Sequence, residues 1–169
     1  MHPQPSITDP AGALPGDSTL APASLADRLA RLEPLTILDV RADAGAPIEA
    51  ASATQRHLPA TQALADLEQL AAQLEGPVVV VCDRGLTAAA VTDGLRARGV
   101  DAMVLGGGMR GWIATLQAFP VELGIDGLDV ILVQRPGRGC LSYLLTSAGE
   151  AIVVDPAPEA RFYAELAGR

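Results

Sequence analysis

Apolar residues between positions 23 and 118 follow two alternating patterns, short continuous runs and helical spacing. The continuous runs have the length of buried strands and cover residues 35–40, 78–81 and 100–105. Helical spacing indicates four helices, which are marked by Leu25, Leu29 and Leu32, by Leu64, Leu67, Leu70 and Leu74, by Ala88, Val91 and Leu95, and by the surroundings of Trp112. Ser24 is the candidate N-cap of the first helix, and Gly99 closes the third. Residues 42–60 are predicted to be irregular.

Alternation of strands and helices at these lengths indicates a parallel sheet with right-handed crossovers. The strand over residues 78–81 consists of four consecutive valines, and such β-branched runs are typical of strands covered on both faces. We therefore predict one α/β domain over residues 23–118, with helices on both faces of its sheet. Residues 1–22 are rich in Pro, Ala and Gly without a periodic apolar face, and are predicted to be a flexible tail.

The pattern changes after residue 118. Residues 119–128 are predicted to be a linker, and residues 130–134, 141–146 and 151–154 to be strands joined by tight turns. Short connections indicate an antiparallel meander, which is followed by a helical segment over residues 159–166. Even a domain of ~60 residues is marginally stable, so we expect residues 129–169 to pack on the first domain, on another chain or on further sequence, and we favour further sequence.

Composition excludes several chemistries. With 49% hydrophobic residues the chain is not disordered, and its net charge of -8 argues against nucleic acid or an anionic membrane as a partner. All 12 basic residues are Arg, which excludes a Lys Schiff base and a Walker-type phosphate loop. His2 and His57 are too few for a several-His metal cage, and two cysteines are too few for a disulfide scaffold. Without a secretory leader or an apolar span of ~20 residues, we expect a soluble cytoplasmic protein.

Cys82 is the candidate for chemistry because it follows the strand over residues 78–81 and precedes a helix. Unpaired N–H groups at a helix N-terminus favour a thiolate and bind anions. Gly85 permits a positive φ and a close backbone approach, and Arg84 offers several donors to an oxyanion such as thiosulfate. Asp83 opposes the thiolate as a like charge. The alternative interpretation is that Cys82 is a small buried hydrophobic residue.

Four segments, in order, resemble the motifs of rhodanese (sulfurtransferase) domains. They are Leu38-Asp39-Val40-Arg41, Arg56-His57-Leu58-Pro59, Cys82-Asp83-Arg84-Gly85-Leu86-Thr87 and Leu105-Gly106-Gly107-Gly108-Met109-Arg110-Gly111-Trp112. The resemblance implies a rhodanese-like fold and transfer of sulfane sulfur through a persulfide on Cys82. It also implies that residues 83–87, namely Asp83, Arg84, Gly85, Leu86 and Thr87, bind the substrate. Asp39 and Arg41 would give structural support, and His57 resembles the structural histidine of that family.

Two departures from the rhodanese pattern bear on the sulfur donor. Thr87 stands where the more familiar loop of that family carries Arg, and the acidic residue that follows its first motif is displaced, with Asp43 and Glu49 nearby. These departures imply that thiosulfate is a poorer donor than a persulfide or polysulfide.

The second segment resembles the opening strands of metallo-β-lactamase-fold proteins, closest to hydrolases and persulfide dioxygenases fused to rhodanese domains. The resemblance covers residues 134–143 and 150–156, where Asp155 matches a residue near the metal site of that family. The family's His-x-His-x-Asp-His motif is absent, so no metal ligand and no cofactor is expected in this chain. Zn or Fe would belong to a C-terminal continuation. Cys140 is predicted to be a packed strand cysteine.

Two other motifs fit less well. Phosphatases and arsenate reductases with a Cys loop need Arg six positions after the Cys, where this chain has Ala88. The glycines at 106, 108 and 111 match a dinucleotide fingerprint in spacing, but a turn that packs Trp112 explains them better.

Two functional hypotheses stay open. The first is a sulfurtransferase that takes sulfur from a small anionic donor, thiosulfate or a persulfide, and gives it to a thiol or cyanide. The second is a non-catalytic docking or regulatory module of a metallo-β-lactamase-fold hydrolase or persulfide dioxygenase. The expected partners are the small donor, the thiol acceptor, and either a second copy of the chain or a missing metallo-β-lactamase-like domain.

Overall fold

The computed structural model describes residues 18–43 and 45–168. They form two compact units that divide between Ile113 and Ala114. Residues 1–17, which are most of the predicted flexible tail and include His2, lie outside the described residues. The prediction of a tail through residue 22 is wrong at its end, because Thr19–Leu20 form a strand and a helix begins at Pro22.

The first unit is built on a parallel five-stranded sheet with the order β1-β5-β4-β2-β3. Its strands are β1 (Thr19–Leu20), β2 (Leu35–Asp39), β3 (Ala53–His57), β4 (Val78–Val81) and β5 (Ala102–Leu105). All pairings in it are parallel, which confirms the predicted sheet type. β4 lies in the centre, and its four valines are buried, as expected of a strand covered on both faces.

Helices cover both faces of this sheet. They are α1 (Pro22–Ala30), α2 (Ala60–Ala65), α3 (Leu67–Ala72), α4 (Leu86–Arg96) and α5 (Gly108–Ala114). Alternate residues of β4 point to opposite faces, so Val78 and Val80 pack with α2, α3 and α4 while Val79 and Val81 pack with α1 and α5. Trp112, the single tryptophan of the chain, is buried in the second of these clusters.

Two local predictions in the first unit are wrong. Ser24 lies inside α1, because Pro22 takes the first helical turn, where its missing N–H and fixed φ cost nothing, and Ala21 becomes the N-cap. β3 lies within the segment predicted to be irregular, residues 42–60. It is an edge strand with only partly buried and exposed residues, so it has no apolar run that would reveal it.

The helix predicted from Leu64 to Leu74 is divided into α2 and α3 at Asp66. Asp66 has φ -144° and ψ 70°, which no helix accommodates, and its carboxylate accepts a hydrogen bond from the N–H of Gln69 at 3.0 Å. The side chain therefore caps α3, which begins as a separate helix. As a result Leu70 is 3% exposed, whereas Leu64 is 43% exposed, although both were predicted on one buried face.

The second unit is an antiparallel four-stranded meander with one helix, which confirms the predicted sheet type. Its elements are β6 (Gln117–Val121), β7 (Asp129–Arg135), a 3-10 turn (Pro136–Arg138), β8 (Cys140–Ser147), β9 (Glu150–Val154) and α6 (Ala160–Ala167). β6 was not predicted, and its last residues fall in the predicted linker, residues 119–128. Pro120 argues against a strand in the sequence, because proline has no N–H to donate to a neighbouring strand. β6 lies at the edge of the sheet, where proline is tolerated.

The second unit has a small core of its own beneath α6. Tyr163 and Leu166 pack there against Ala118, Val133 and Leu144. The hydroxyl of Tyr163 lies 2.6 Å from the Ser142 hydroxyl and accepts a hydrogen bond from the N–H of Ala157 at 2.8 Å, so its polar end is satisfied.

In the part of the chain that the structure describes, no helix combines the length and hydrophobicity needed to cross a bilayer.

We predict that Leu70→Ala lowers the free energy of unfolding of the first unit by about 3 kcal/mol, because it leaves a cavity in the core. Leu64→Ala is the matched control and should cost less than about 1 kcal/mol, since Leu64 faces solvent. Urea unfolding followed by Trp112 fluorescence measures both. Equal costs for the two variants would contradict the break at Asp66.

Candidate functional site

The candidate site lies at the carboxyl ends of β2 and β4. From β2 the chain forms β3 on one side, and later returns to form β4 on the other side. In open α/β sheets, ligands bind in the crevice where the strand order reverses in this way. Cys82 directly follows β4 and therefore stands at this crevice.

The sulfur of Cys82 is held by the loop that follows it. The backbone N–H of Gly85 donates a hydrogen bond to Cys82 Sγ over 3.1 Å. Gly85 has φ +87° and serves as the N-cap of α4, so the donor to the sulfur stands at the N-terminus of that helix. Cys82 is 5% exposed, and it lines an open pocket. It is thus buried, yet it faces both a donor and the pocket.

The first turn of α5 holds this loop through two backbone hydrogen bonds. The N–H groups of Met109 and Arg110, in the first turn of α5, donate to the carbonyl oxygens of Cys82 and Asp83 over 2.8 and 3.1 Å. Gly108 permits this approach, because a Cβ there would collide with the carbonyl oxygen of Cys82 and lie 2.7 Å from the N of Arg84. Gly108 also has φ +57°, a conformation that favours glycine.

Asp39 and Arg41 form a bidentate ion pair at the end of β2. Arg41 Nε lies 2.9 and 3.0 Å from the two carboxylate oxygens of Asp39, and Nη2 lies 2.6 Å from Oδ2. The hydrogen bond with Asp39 raises the pKa of Arg41 against the effect of burial, and the negative charges of Asp39 and Asp83 raise it further. Arg41 Nη2 also donates to the carbonyl oxygen of Ala46 at 3.1 Å, so the pair fastens the loop after β2.

A pocket of about 450 Å³ opens beside Cys82. It is lined by Val40, Arg41, Ala42, Pro59, Ala60, Thr61, Cys82, Asp83, Arg84, Leu86 and Thr87. The structure thus brings Asp83, Arg84, Leu86 and Thr87 together with Arg41 around the sulfur. Arg84 is exposed and forms no ion pair with any residue that the structure describes.

One wall of this pocket was not recognised in the sequence. It consists of residues 59–61 at the start of α2, together with Val40 and Ala42 after β2. These residues are mostly apolar, far from Cys82 along the chain, and carry no chemical signature. The only signal was the position of Pro59 at the end of the second resembling segment.

The other candidates lie apart from this pocket. Asp43 and Glu49 are exposed and do not line it. His57 lies at the end of β3 with Nε2 3.0 Å from the carbonyl oxygen of Arg41, a contact that steadies the backbone. The prediction that Cys140 is packed is wrong: it begins β8 with its side chain exposed.

Among the described residues, no group of His, Cys, Asp or Glu could hold a metal ion. Asp155 is exposed after β9 with φ +49°, a turn position rather than a ligand cluster.

No family model and no curated protein matches the sequence. Three solved structures are similar to parts of it, each with a TM-score of 0.44. A rhodanese homolog from the extremely thermophilic bacterium Thermus thermophilus is 26% identical over 55% of this chain and 98% of its own. A rhodanese-like domain protein from Staphylococcus aureus is 26% identical over 56% and 90%, and a protein from Staphylococcus saprophyticus subsp. saprophyticus is 21% identical over 54% and 89%. Because these TM-scores are low, we base the proposal of function on the site residues.

We predict that Gly108→Ala disrupts the Cys82 loop, because the added Cβ collides with the carbonyl oxygen of Cys82. The free energy of unfolding of the first unit should fall by about 3 kcal/mol, and the reactivity of Cys82 should fall with it. Gly99→Ala is the control: Gly99 also has a positive φ, +82°, but a Cβ there meets nothing within 4 Å. That variant should cost only about 1 kcal/mol. A similar loss in both variants would show that backbone strain alone matters.

We further predict that Arg41→Lys lowers the free energy of unfolding by about 2 kcal/mol, because lysine cannot form the bidentate pair with the nearly buried Asp39. Arg31→Lys provides the comparison, since Arg31 is 70% exposed and lies 3.7 Å from Glu33. It should change the free energy by less than about 0.5 kcal/mol. Thermal and urea unfolding of both variants measure this difference, and equal effects would count against a supporting role for Arg41.

Proposed function

We propose that the first unit is a rhodanese-type sulfurtransferase domain in which Cys82 carries sulfane sulfur as a persulfide. The observation that carries this proposal is the hydrogen bond from the Gly85 N–H to Cys82 Sγ at the edge of an open pocket. A structural cysteine at a strand end has no need of a donor loop and a pocket. The ordered resemblance of four segments to rhodanese motifs supports the same function.

In the first step the Cys82 thiolate attacks the outer sulfur of the donor. The sulfur–sulfur bond of the donor breaks, a new one forms to Cys82, and the donor leaves as sulfite from thiosulfate or as a thiolate from a persulfide. In the second step an acceptor attacks the outer sulfur of the Cys82 persulfide. The Cys82 thiolate is released again, and the product is a persulfide from a thiol or thiocyanate from cyanide.

The loop stabilises negative charge on sulfur in both steps. The N–H of Gly85 already faces Sγ, and the N–H groups at the start of α4 lie next to it in the chain. Arg84, exposed at the pocket, orients an anionic donor through charge-assisted hydrogen bonds. Because N–H groups of α5 bind the carbonyl oxygens of Cys82 and Asp83, the loop is held in the shape that directs the N–H of Gly85 at the sulfur.

A second candidate function is a docking or regulatory module with an inactive Cys82. Two observations favour it: Cys82 is only 5% exposed, and Asp83 places a like charge beside its thiolate. In this hypothesis residues 129–169 are the opening strands of a metallo-β-lactamase-fold hydrolase or persulfide dioxygenase. β6 (Gln117–Val121) belongs to the same sheet, so the predicted domain end at residue 118 and the predicted linker of residues 119–128 are replaced by a division between Ile113 and Ala114. The exposed apolar side chains of Tyr143, Ile152 and Val154 on β8 and β9 support such a continuation.

We predict that the purified chain, after treatment with inorganic polysulfide and removal of the excess, releases thiocyanate with cyanide in near-stoichiometric amount. Cys82→Ser should abolish this release, because the persulfide forms on its sulfur. Cys140→Ser is the matched control and should retain it. Equal release from the Cys82→Ser variant would reject the proposed function.

Alkylation separates the two candidate functions. If the loop activates the sulfur, iodoacetamide should modify Cys82 in the Cys140→Ser variant faster than it modifies Cys140 in the Cys82→Ser variant, despite the greater exposure of Cys140. Slower modification of Cys82 would favour the docking module.

A further inference from the structure

The charges at the Cys82 pocket cancel one another. The positive charges at the site belong to Arg41 and Arg84, and Arg41 is bound by Asp39 over 2.6 Å. Asp83 lies in the same lining, close enough to Arg41 for its charge to act on that guanidinium. Two arginines and two aspartates leave no net positive charge for a doubly charged anion such as thiosulfate.

Apart from Cys82, Thr61 and Thr87, the uncharged lining of the pocket is apolar, and the pocket is larger than a small inorganic ion needs. Its volume of about 450 Å³ falls in the range of pockets that take organic ligands, roughly 300–1,000 Å³. Val40, Ala42, Pro59 and Ala60 form one wall. Leu86 belongs to the same lining and is 78% exposed. It directly follows Gly85, the residue whose N–H binds the sulfur, so the pocket that Cys82 lines has an apolar side chain in its lining from the same loop.

Resting on the proposed function, we infer that the sulfur donor of Cys82 is a small organic hydropersulfide, R–S–SH, whose apolar group R lies against Leu86 and the facing wall. The Cys82 thiolate attacks the outer sulfur of R–S–SH. The bond between the two donor sulfurs breaks, R–S⁻ leaves, and the Cys82 sulfur gains one SH, so that the side chain becomes –S–SH. The leaving thiolate then takes up the proton of that group, so the enzyme holds an anionic persulfide and releases R–SH. The transferred sulfur keeps its oxidation state, and no oxidant is needed.

The experiment compares three donors on the full chain with Cys140→Ser, so that only Cys82 takes up sulfur. The donors are benzyl hydropersulfide, inorganic polysulfide and thiosulfate, and the rate of Cys82 persulfidation is measured by cyanide release of thiocyanate. Each rate is divided by the rate of the same donor with N-acetylcysteine, which removes intrinsic reactivity. The normalised rate with benzyl hydropersulfide should exceed that with thiosulfate by about tenfold or more.

Two variants, each with a control, test the two causes of the donor preference: the apolar contact of the group R and the balance of charges at the pocket. Leu86→Ser should lower the ratio of the benzyl hydropersulfide rate to the polysulfide rate by about tenfold, because the benzyl group loses its apolar contact. Leu123→Ser, at a leucine that is 53% exposed outside this pocket, should keep the ratio of the unaltered chain.

Asp83→Asn should raise the thiosulfate rate roughly fivefold, because it removes the negative charge next to Arg84. Asp101→Asn, which removes the same charge at the amino end of β5 and outside this pocket, should leave the thiosulfate rate unchanged.

The outcomes separate the donor preference from the function itself. A normalised thiosulfate rate equal to or above that of benzyl hydropersulfide overturns the preference, and so does a rate ratio that Leu86→Ser leaves unchanged. Failure of all three donors, polysulfide included, to persulfidate Cys82 overturns the proposed function and the preference with it.

Discussion

Two backbone hydrogen bonds hold the Cys82 loop in its shape, from the N–H groups of Met109 and Arg110 to the carbonyl oxygens of Cys82 and Asp83. Because the carbonyl groups of Cys82 and Asp83 are held by α5, they do not turn toward the sulfur, and the N–H of Gly85 faces it. The contact requires that nothing stands between α5 and the loop, and Gly108, which has no Cβ, meets this requirement. The glycine-rich turn after β5 is therefore part of the site, although it supplies no side chain to it.

The Asp39–Arg41 pair supports the same loop from the side of β2 and also sets the charge of the pocket. Its side chains are only 12–15% exposed, so the pair is shielded from water and its geometry is well defined. The charge of Arg41 is already compensated by Asp39, so it attracts an incoming dianion less strongly than an unpaired arginine would. The only other arginine of the pocket, Arg84, stands next to Asp83. The support of the loop and the absence of a net positive charge at the pocket thus follow from one arrangement of four charges.

The second unit shows how a sheet with two apolar faces is only half covered within the described residues. α6 packs over one face through Tyr163 and Leu166, and there the side chains of Val133 and Leu144 are buried. The alternate residues Tyr143, Ile152 and Val154 remain exposed. Successive side chains of a strand point to opposite faces of its sheet. Apolar residues on both faces are typical of a sheet that packs against other elements on both sides.

Much of the architecture could be predicted from the sequence, because a strand that is buried on both faces consists of a continuous run of apolar residues. The valine run of β4 identified a central strand, and the loop after it identified Cys82 as the candidate for chemistry. β3 was missed because an edge strand needs no apolar run, and Leu64 was misplaced because Asp66 ends one helix and caps the next. The wall formed by Pro59 and Ala60 was also missed. Its residues are unremarkable one by one, and they meet Cys82 only because β2 and β4 lie side by side, a proximity created by folding that no local pattern encodes.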